Sequence, residues 1–115
     1  ESELRGAIED AGKNIADLDV DVKSTLRIEP CLVDSNDSFV KAFSRSVRAV
    51  RRNPVKWAPG GGFTDLHFFV EDGKLPGVGY GPRGEGAHGV NERVSISDLV
   101  KTAKIYATFM TKAEL

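Results

Sequence analysis

Residues 19–28 alternate between apolar and polar side chains, and this pattern constrains the fold of the chain more than any other. A period of two predicts a half-buried antiparallel strand, because successive side chains of a strand point to opposite faces. The apolar face would hold Val20, Val22, Leu26 and Ile28, with Ser24 as a polar exception. A single strand leaves its backbone groups unpaired, so its partners must come from later residues or from outside this chain.

One amphipathic helix is predicted before this strand and another after it. Residues 1–16 repeat apolar side chains at steps of three and four, and residues 39–52 do the same. Pro30 ends the strand pattern, and residues 34–38 supply a connection and a helix cap. The second helix has a buried stripe of Phe39, Phe43, Val47 and Val50 and an outer row of Lys41, Arg45, Arg48, Arg51 and Arg52. We interpret the cations as a solvated face rather than a phosphate or RNA surface, because no aromatic or glycine-rich segment accompanies them.

The second half of the chain alternates short apolar strands with helices. Short strands are predicted over residues 55–58 and 75–80, with a short helix between them that Thr64 or Asp65 caps. Ser95 and Asp98 resemble a capping box and begin a final helix that runs to about Thr111. The apolar stripe of that helix contains Leu99, Val100, Ala103, Tyr106, Ala107 and Met110.

This order of elements predicts an α/β fold: part of a parallel-rich sheet with covering helices. Two short strands are too few for such a sheet. The remaining strands are therefore expected from residues outside this chain or from another copy of it.

Composition narrows the class of protein. The chain has 115 residues, 40% hydrophobic and 29% charged, which suits one domain or a piece of a larger one. Its net charge of −1 gives no reason to expect nucleic acid or membrane as a partner. No apolar run approaches the roughly 20 residues that span a bilayer, and no signal-peptide pattern is visible. The single cysteine, Cys31, excludes an internal disulfide and predicts a reducing, cytoplasmic location.

Glycine-rich loops follow both short strands, over residues 59–65 and 81–92. Ligands of open α/β sheets bind at the carboxyl ends of the strands, so both loops should face one crevice. His88 has a nitrogen suited to Zn²⁺, and the carboxylates of Asp65, Glu85 and Glu92 offer oxygens. From the residues alone this remains one interpretation. An ordinary turn histidine at position 88, a helix cap at Asp65 and a packed core histidine at His67 are alternatives.

Three motifs in order give a more specific indication. They are Gly61-Gly62-Phe63-Thr64-Asp65, Val78-Gly79-Tyr80-Gly81-Pro82 and Ala87-His88-Gly89-Val90-Asn91-Glu92. With these motifs, residues 1 to about 112 resemble the C-terminal part of the acetylornithine deacetylase / succinyl-diaminopimelate desuccinylase / carboxypeptidase family of dizinc hydrolases. One position departs from the pattern, because His67 stands where many members have Arg.

The resemblance implies a site and a chemistry. His88 would be a metal ligand. The substrate pocket would be lined by the turn residues Gly61, Gly62, Phe63 and Thr64. The site would be supported by Asp65, Asn91 and Glu92. The cofactor would be Zn²⁺, two per site, or Co²⁺ or Mn²⁺ in its place. The substrate would be an N-acyl amino acid or a short peptide, cleaved at its amide bond. The other ligands and the catalytic Glu of the family precede Glu1, so no catalytic residue is expected here and the 115 residues alone are predicted to be inactive.

The resemblance also implies a division of the chain. Residues 1–29 would be a helix–strand remnant of a ferredoxin-like lid domain, through whose strand (19–28) the protein would form a homodimer. Residues 30–38 would be a hinge, and residues 39–115 the C-terminal part of the catalytic domain. The alternative to a hydrolase is a non-catalytic α/β dimerisation module.

Overall fold

Three α-helices, one π-helical turn and one hairpin make up the regular structure of the described residues. The computed structural model describes residues 1–13, 15–60 and 62–112. The helices are α1 (Ser2–Gly12), α2 (Ser38–Arg51) and α3 (Ile96–Lys112), and the π-helical turn spans Phe68–Asp72. The strands are β1 (Gly84–Glu85) and β2 (Arg93–Val94), which pair antiparallel as Gly84 with Val94 and Glu85 with Arg93.

Helix α2 begins and ends at residues with defined caps. The carboxylate of Asp37 accepts the backbone N–H of Phe39 at 2.8 Å, which satisfies one free donor of the first turn. The helix ends at Arg52, whose φ of 57° is left-handed and whose N–H bonds the carbonyl of Arg48. The predicted helix is thus confirmed, with a cap in the predicted connection.

The core is small and lies between α2 and α3. Phe43, Val47 and Ile105 are buried, and Val50, Val55, Val78, Tyr80 and Phe109 pack around them. The Phe43 ring meets those of Tyr80 and Phe109 edge-on, each at 5.3 Å between centroids. Of the stripe predicted for α2, Phe43 and Val47 are buried and Phe39 and Val50 are half-buried.

The face of α3 that is buried in the core is not the apolar stripe predicted from the sequence. The buried face consists of Asp98, Thr102 and Ile105. The stripe lies on the open side, where Leu99 is 48% and Met110 78% exposed. The physical reason is that α2 covers one side of α3 only, and the side it covers includes two polar residues.

The three strands predicted over residues 19–28, 55–58 and 75–80 have no paired neighbour in the described part of the chain. Val20 and Leu26, which a sheet would cover, are 44% and 70% exposed. Helix α1 likewise buries none of its residues. A strand exists only when a second one pairs with it, so the parallel sheet, the lid domain and the division at residues 29 and 38 stay predictions.

The chain is elongated. Its Cα radius of gyration is 20.4 Å, whereas a compact domain of this length has about 13 Å. The buried core is confined to α2, α3 and the segments packed against them. Within the described ranges no helix is long and apolar enough to cross a bilayer.

Candidate metal-binding site

The hairpin formed by β1 and β2 holds His88 at its tip. Gly89 donates its N–H to the carbonyl of Gly86 at 2.8 Å, which closes a four-residue turn. His88 is the third residue of that turn, with a φ of 62°. A positive φ at this position is typical of a type II turn, and His tolerates the left-handed region better than most residues. The local sequence therefore places the imidazole at an exposed bend.

The His88 ring is open to solvent and available as a ligand. The residue is exposed, and Val90, two positions on, is 103% exposed. Asn91 and Glu92 continue into a second turn, closed by the Glu92 N–H on the carbonyl of Gly89 at 3.3 Å. Both are exposed, and their backbone lies close to Gly86, the first residue of the His88 turn.

No complete metal site is assembled within residues 1–13, 15–60 and 62–112. No group of three or more His, Cys, Asp and Glu side chains there is arranged to hold a metal ion. A catalytic zinc needs about three protein ligands. Among the described residues, the site predicted from the sequence thus amounts to a single candidate ligand, the His88 imidazole.

The glycine turn leads into a short helix, as predicted. Gly61 lies outside the described residues, while Gly62 is exposed and Phe63 is 65% exposed. Thr64 supplies the side-chain cap, since its Oγ1 accepts the N–H of Leu66 at 3.3 Å. The backbone carbonyl of Asp65, rather than its carboxylate, accepts the N–H of Phe68 at 3.1 Å. The turn thus keeps Gly62 and Phe63 open to a ligand.

His67 is buried, as its Phe-rich surroundings predict. It is 8% exposed, and its Nδ1 lies 3.0 Å from the carbonyl oxygen of Thr64. Its ring packs at 5.0 Å from the Phe63 ring and 3.7 Å from the Phe68 ring. No hydrogen bond or ion pair among the described residues joins this turn to the hairpin. The described residues therefore define the geometry of each loop separately.

A polar cluster stands at the base of the hairpin, centred on Asp98. Its carboxylate accepts two hydrogen bonds from the Arg51 guanidinium, at 2.6 and 3.1 Å, and a third from the Arg83 backbone N–H at 2.7 Å. Arg51 also donates from Nε to the hydroxyl of Tyr80 at 2.5 Å. Tyr106 in turn donates its hydroxyl to the Tyr80 carbonyl at 2.5 Å. The cluster joins α2, the segment before β1, and α3.

These contacts shift the ionisation of both charged members. The hydrogen bonds from Arg51, and then that from the Arg83 N–H, lower the pKa of Asp98 from 3.8 to about 2. The Asp98 and Tyr80 hydrogen bonds raise the pKa of Arg51 above its ordinary value. Both groups are therefore charged throughout the physiological range.

Comparison with known proteins decides the family. Residues 5–112 match the model described as peptidase family M20/M25/M40. The chain belongs to this family. Its resemblance to dizinc hydrolases, read from the three motifs, is thereby confirmed.

Two curated succinyl-diaminopimelate desuccinylases are similar to the chain. That of Colwellia psychrerythraea is 33% identical over 92 residues, which cover 77% of this chain and 23% of the relative. That of Hydrogenovibrio crunogenus is 28% identical over 89 residues, with the same two coverages of 77% and 23%. The chain thus matches less than a quarter of the length of these relatives. No solved structure matches it.

The cluster around Asp98 is the part of this M20/M25/M40 chain that sequence reasoning missed. Ser95 and Asp98 were identified as a capping pair, and Ser95 Oγ does accept the N–H of Asp98 at 3.4 Å. The carboxylate, however, turns to Arg51, which the sequence pattern placed among the cations of the α2 outer row. One signal for the Arg51–Asp98 pair was present in the sequence: Arg51 lies in the last turn of α2 and Asp98 in the first turn of α3, so the two opposite charges stand at helix ends that can meet.

The basic face of α2 also differs from expectation. Trp57, just beyond the end of α2, is 40% exposed. It lines an open groove of about 320 Å³ with Lys41, Ser44, Arg45, Arg48 and Val55. An aromatic side chain therefore does accompany the cations, because the chain after α2 folds back beside the helix. Charges of one sign in such a groove favour anions over cations.

Proposed function

We propose that this chain is the C-terminal part of a zinc-dependent hydrolase that cleaves the amide bond of N-acyl amino acids or short peptides. The family match supports hydrolysis, and the two desuccinylases among its relatives support an acylated amino-acid substrate. The observation that carries the proposal is the exposed His88 at the tip of the hairpin, free of other partners in the described residues.

His88 would bind the metal through a neutral imidazole nitrogen. Members of this family generally depend on two metal ions. When bound, zinc supplies a Lewis acid for the substrate carbonyl and lowers the pKa of bound water. The remaining ligands and the general base would come from other parts of a longer enzyme, so the 115 residues alone are proposed to be inactive.

The glycine turn would bind the substrate beside the metal. Gly62 allows close approach of a ligand, because nothing lies within 4 Å of the place where a Cβ would stand. The Phe63 ring is exposed yet held on its inner side by the His67 ring, so it offers a fixed apolar surface to an acyl group. Asp65, Asn91 and Glu92 would support the two turns through their backbone positions.

The partner proposal concerns residues 19–28. Their exposed apolar side chains, Val20 and Leu26 among them, are what a strand would present to a second copy of the chain. We therefore propose a homodimer through this segment in a cytoplasmic enzyme. Light scattering of a Leu26→Asp variant of the longer enzyme tests it, with loss of the dimer as the expected result and an unchanged mass as the contrary one.

The test of the metal site is His88→Ala in the longer enzyme, with Val90→Ala as a control on the same hairpin. We expect His88→Ala to lose at least one equivalent of bound zinc and to reduce kcat by about 100-fold or more, as removal of a metal ligand does. Val90→Ala should keep both, because its side chain contacts only solvent. Unchanged zinc content and rate in His88→Ala would remove His88 from the site.

A further inference from the structure

The residue before the hairpin and the residue after it both form a hydrogen bond with Asp98. Arg83, which precedes β1, donates its backbone N–H to Asp98 Oδ2 at 2.7 Å. Ser95, which follows β2, accepts the backbone N–H of Asp98 at 3.4 Å. The two ends of the hairpin therefore converge on the first turn of α3. A displacement of Asp98 would displace both.

Asp98 is itself fixed to α2 by a bidentate pair with Arg51. The side chains of Arg51 and Asp98 are only 23% and 11% exposed, so solvent competes weakly for their hydrogen bonds. A bidentate arginine–carboxylate pair defines direction as well as distance, since two parallel N–H groups meet two oxygens. Tyr80 adds a second attachment just before the hairpin, through its hydroxyl to Arg51 and its carbonyl to Tyr106.

Beyond this base the hairpin has little to hold it. Each strand has 2 residues. The ion pair between Glu85 and Arg93 joins side chains that are 71% and 68% exposed, and such a pair contributes little. The direction of the hairpin, and with it the place of His88, is therefore determined at Asp98.

We propose that Asp98, held by Arg51, is a positioning residue that aims the hairpin so that the His88 imidazole reaches the metal. The inference rests on the proposed role of His88 as a metal ligand. Asp98 touches neither metal nor substrate in this role. It acts through the Arg83 backbone and the β1–β2 pair, which connect Asp98 to the His88 turn.

The experiment measures zinc affinity in the longer enzyme by competition with a chelator of known affinity. Asp98→Asn keeps the size of the side chain and an oxygen for the Arg83 N–H but loses the charge that holds Arg51. We expect it to weaken zinc binding about 10-fold, the low end of what loss of a supporting partner does. Arg51→Lys keeps the charge and loses the second parallel hydrogen bond, so a smaller loss is expected. Ile105→Val, which lowers stability in the core and removes none of the cluster's hydrogen bonds, should leave zinc affinity unchanged.

A second readout needs no metal. Amide hydrogen exchange of residues 84–94 in the metal-free enzyme should accelerate in Asp98→Asn and Arg51→Lys and not in Ile105→Val. If His88→Ala loses zinc while Asp98→Asn retains both wild-type zinc affinity and wild-type exchange, the positioning role is overturned and the metal-ligand role stands. If His88→Ala keeps its zinc, the proposed function and this inference both fall. Should Asp98→Asn fail to fold, Arg51→Lys decides on the same two readouts.

Discussion

Thr102 offers a test of the α2–α3 interface in which a single substitution should stabilise the protein. Its side chain is buried, with 3% exposure. Its hydroxyl oxygen has no hydrogen-bond partner in the described residues. A buried hydroxyl without a partner loses its bonds to water and regains nothing, which costs about 1–3 kcal/mol in proteins. Valine has nearly the same shape and helix propensity, so Thr102→Val should raise the free energy of unfolding by about 1–2 kcal/mol.

Thr108 on the same helix supplies the matched control. Its hydroxyl donates to the carbonyl of Lys104 at 2.7 Å, so the same exchange to valine removes a hydrogen bond that is made. A hydrogen bond of this kind contributes roughly 0.5–1.5 kcal/mol, and Thr108→Val should therefore be neutral or destabilising. The two variants make the same exchange on the same helix and differ in whether the hydroxyl has a partner and in burial, since Thr102 is buried and Thr108 half-buried.

The assay is equilibrium urea unfolding of this chain, followed by the fluorescence of Trp57. This residue is the single tryptophan and lies beside α2, so its signal reports the α2–α3 unit. We expect a higher midpoint for Thr102→Val and an equal or lower one for Thr108→Val, with unchanged slopes. A loss of stability in Thr102→Val would refute the reasoning, since it would show that the hydroxyl has a partner worth keeping.

Three further predictions concern the same unit. Because the folded pKa of Asp98, about 2, lies below its ordinary 3.8, its contribution to stability is present above about pH 4 and is lost as pH falls towards 2. The difference in urea midpoint between wild type and Asp98→Asn should shrink over that window, and a constant difference would contradict it. Ile105 is fully buried, so Ile105→Ala should lower the free energy of unfolding by about 2–5 kcal/mol and Ile105→Val by about 0.5–1.5 kcal/mol. Val90→Ala should leave it unchanged. Equal effects of Ile105→Ala and Val90→Ala would disprove the placement of Ile105 in the core. Arg52→Gly should stabilise by about 0.5–1 kcal/mol in thermal unfolding, since it relieves a left-handed residue at the end of α2 at some cost in chain entropy; a lower midpoint would count against strain there.

The sequence predicted the helices, because their information is local. Periodicity placed α2 and α3, and the connection before α2 was predicted to hold its cap, which is Asp37. The three glycine-containing motifs identified the family. The burial of His67 followed from the aromatic residues beside it. Each of these features is determined by residues within a few positions of one another.

What the sequence did not reveal depends on partners distant in the chain. The face that α3 buries is chosen by the position of α2, so the most apolar stripe, with Leu99 and Met110, ended on the open side. The pairing of Arg51 with Asp98 spans 47 positions, and no period relates them. Pairing of residues 19–28 needs a strand that the described residues do not supply. For the site, the sequence predicted the bend that carries His88 but not the cluster around Asp98 at the base of the hairpin.

The left-handed bend at His88 has an evolutionary consequence. Glycine and asparagine occupy that backbone region more easily than an imidazole-bearing residue does. Under the proposed metal-binding role, the need for the ring would keep histidine at this corner. In a homologue that no longer binds metal, we would expect glycine or asparagine to replace histidine at this position. The residue at the hairpin tip would then distinguish metal-binding homologues from those that have lost the metal.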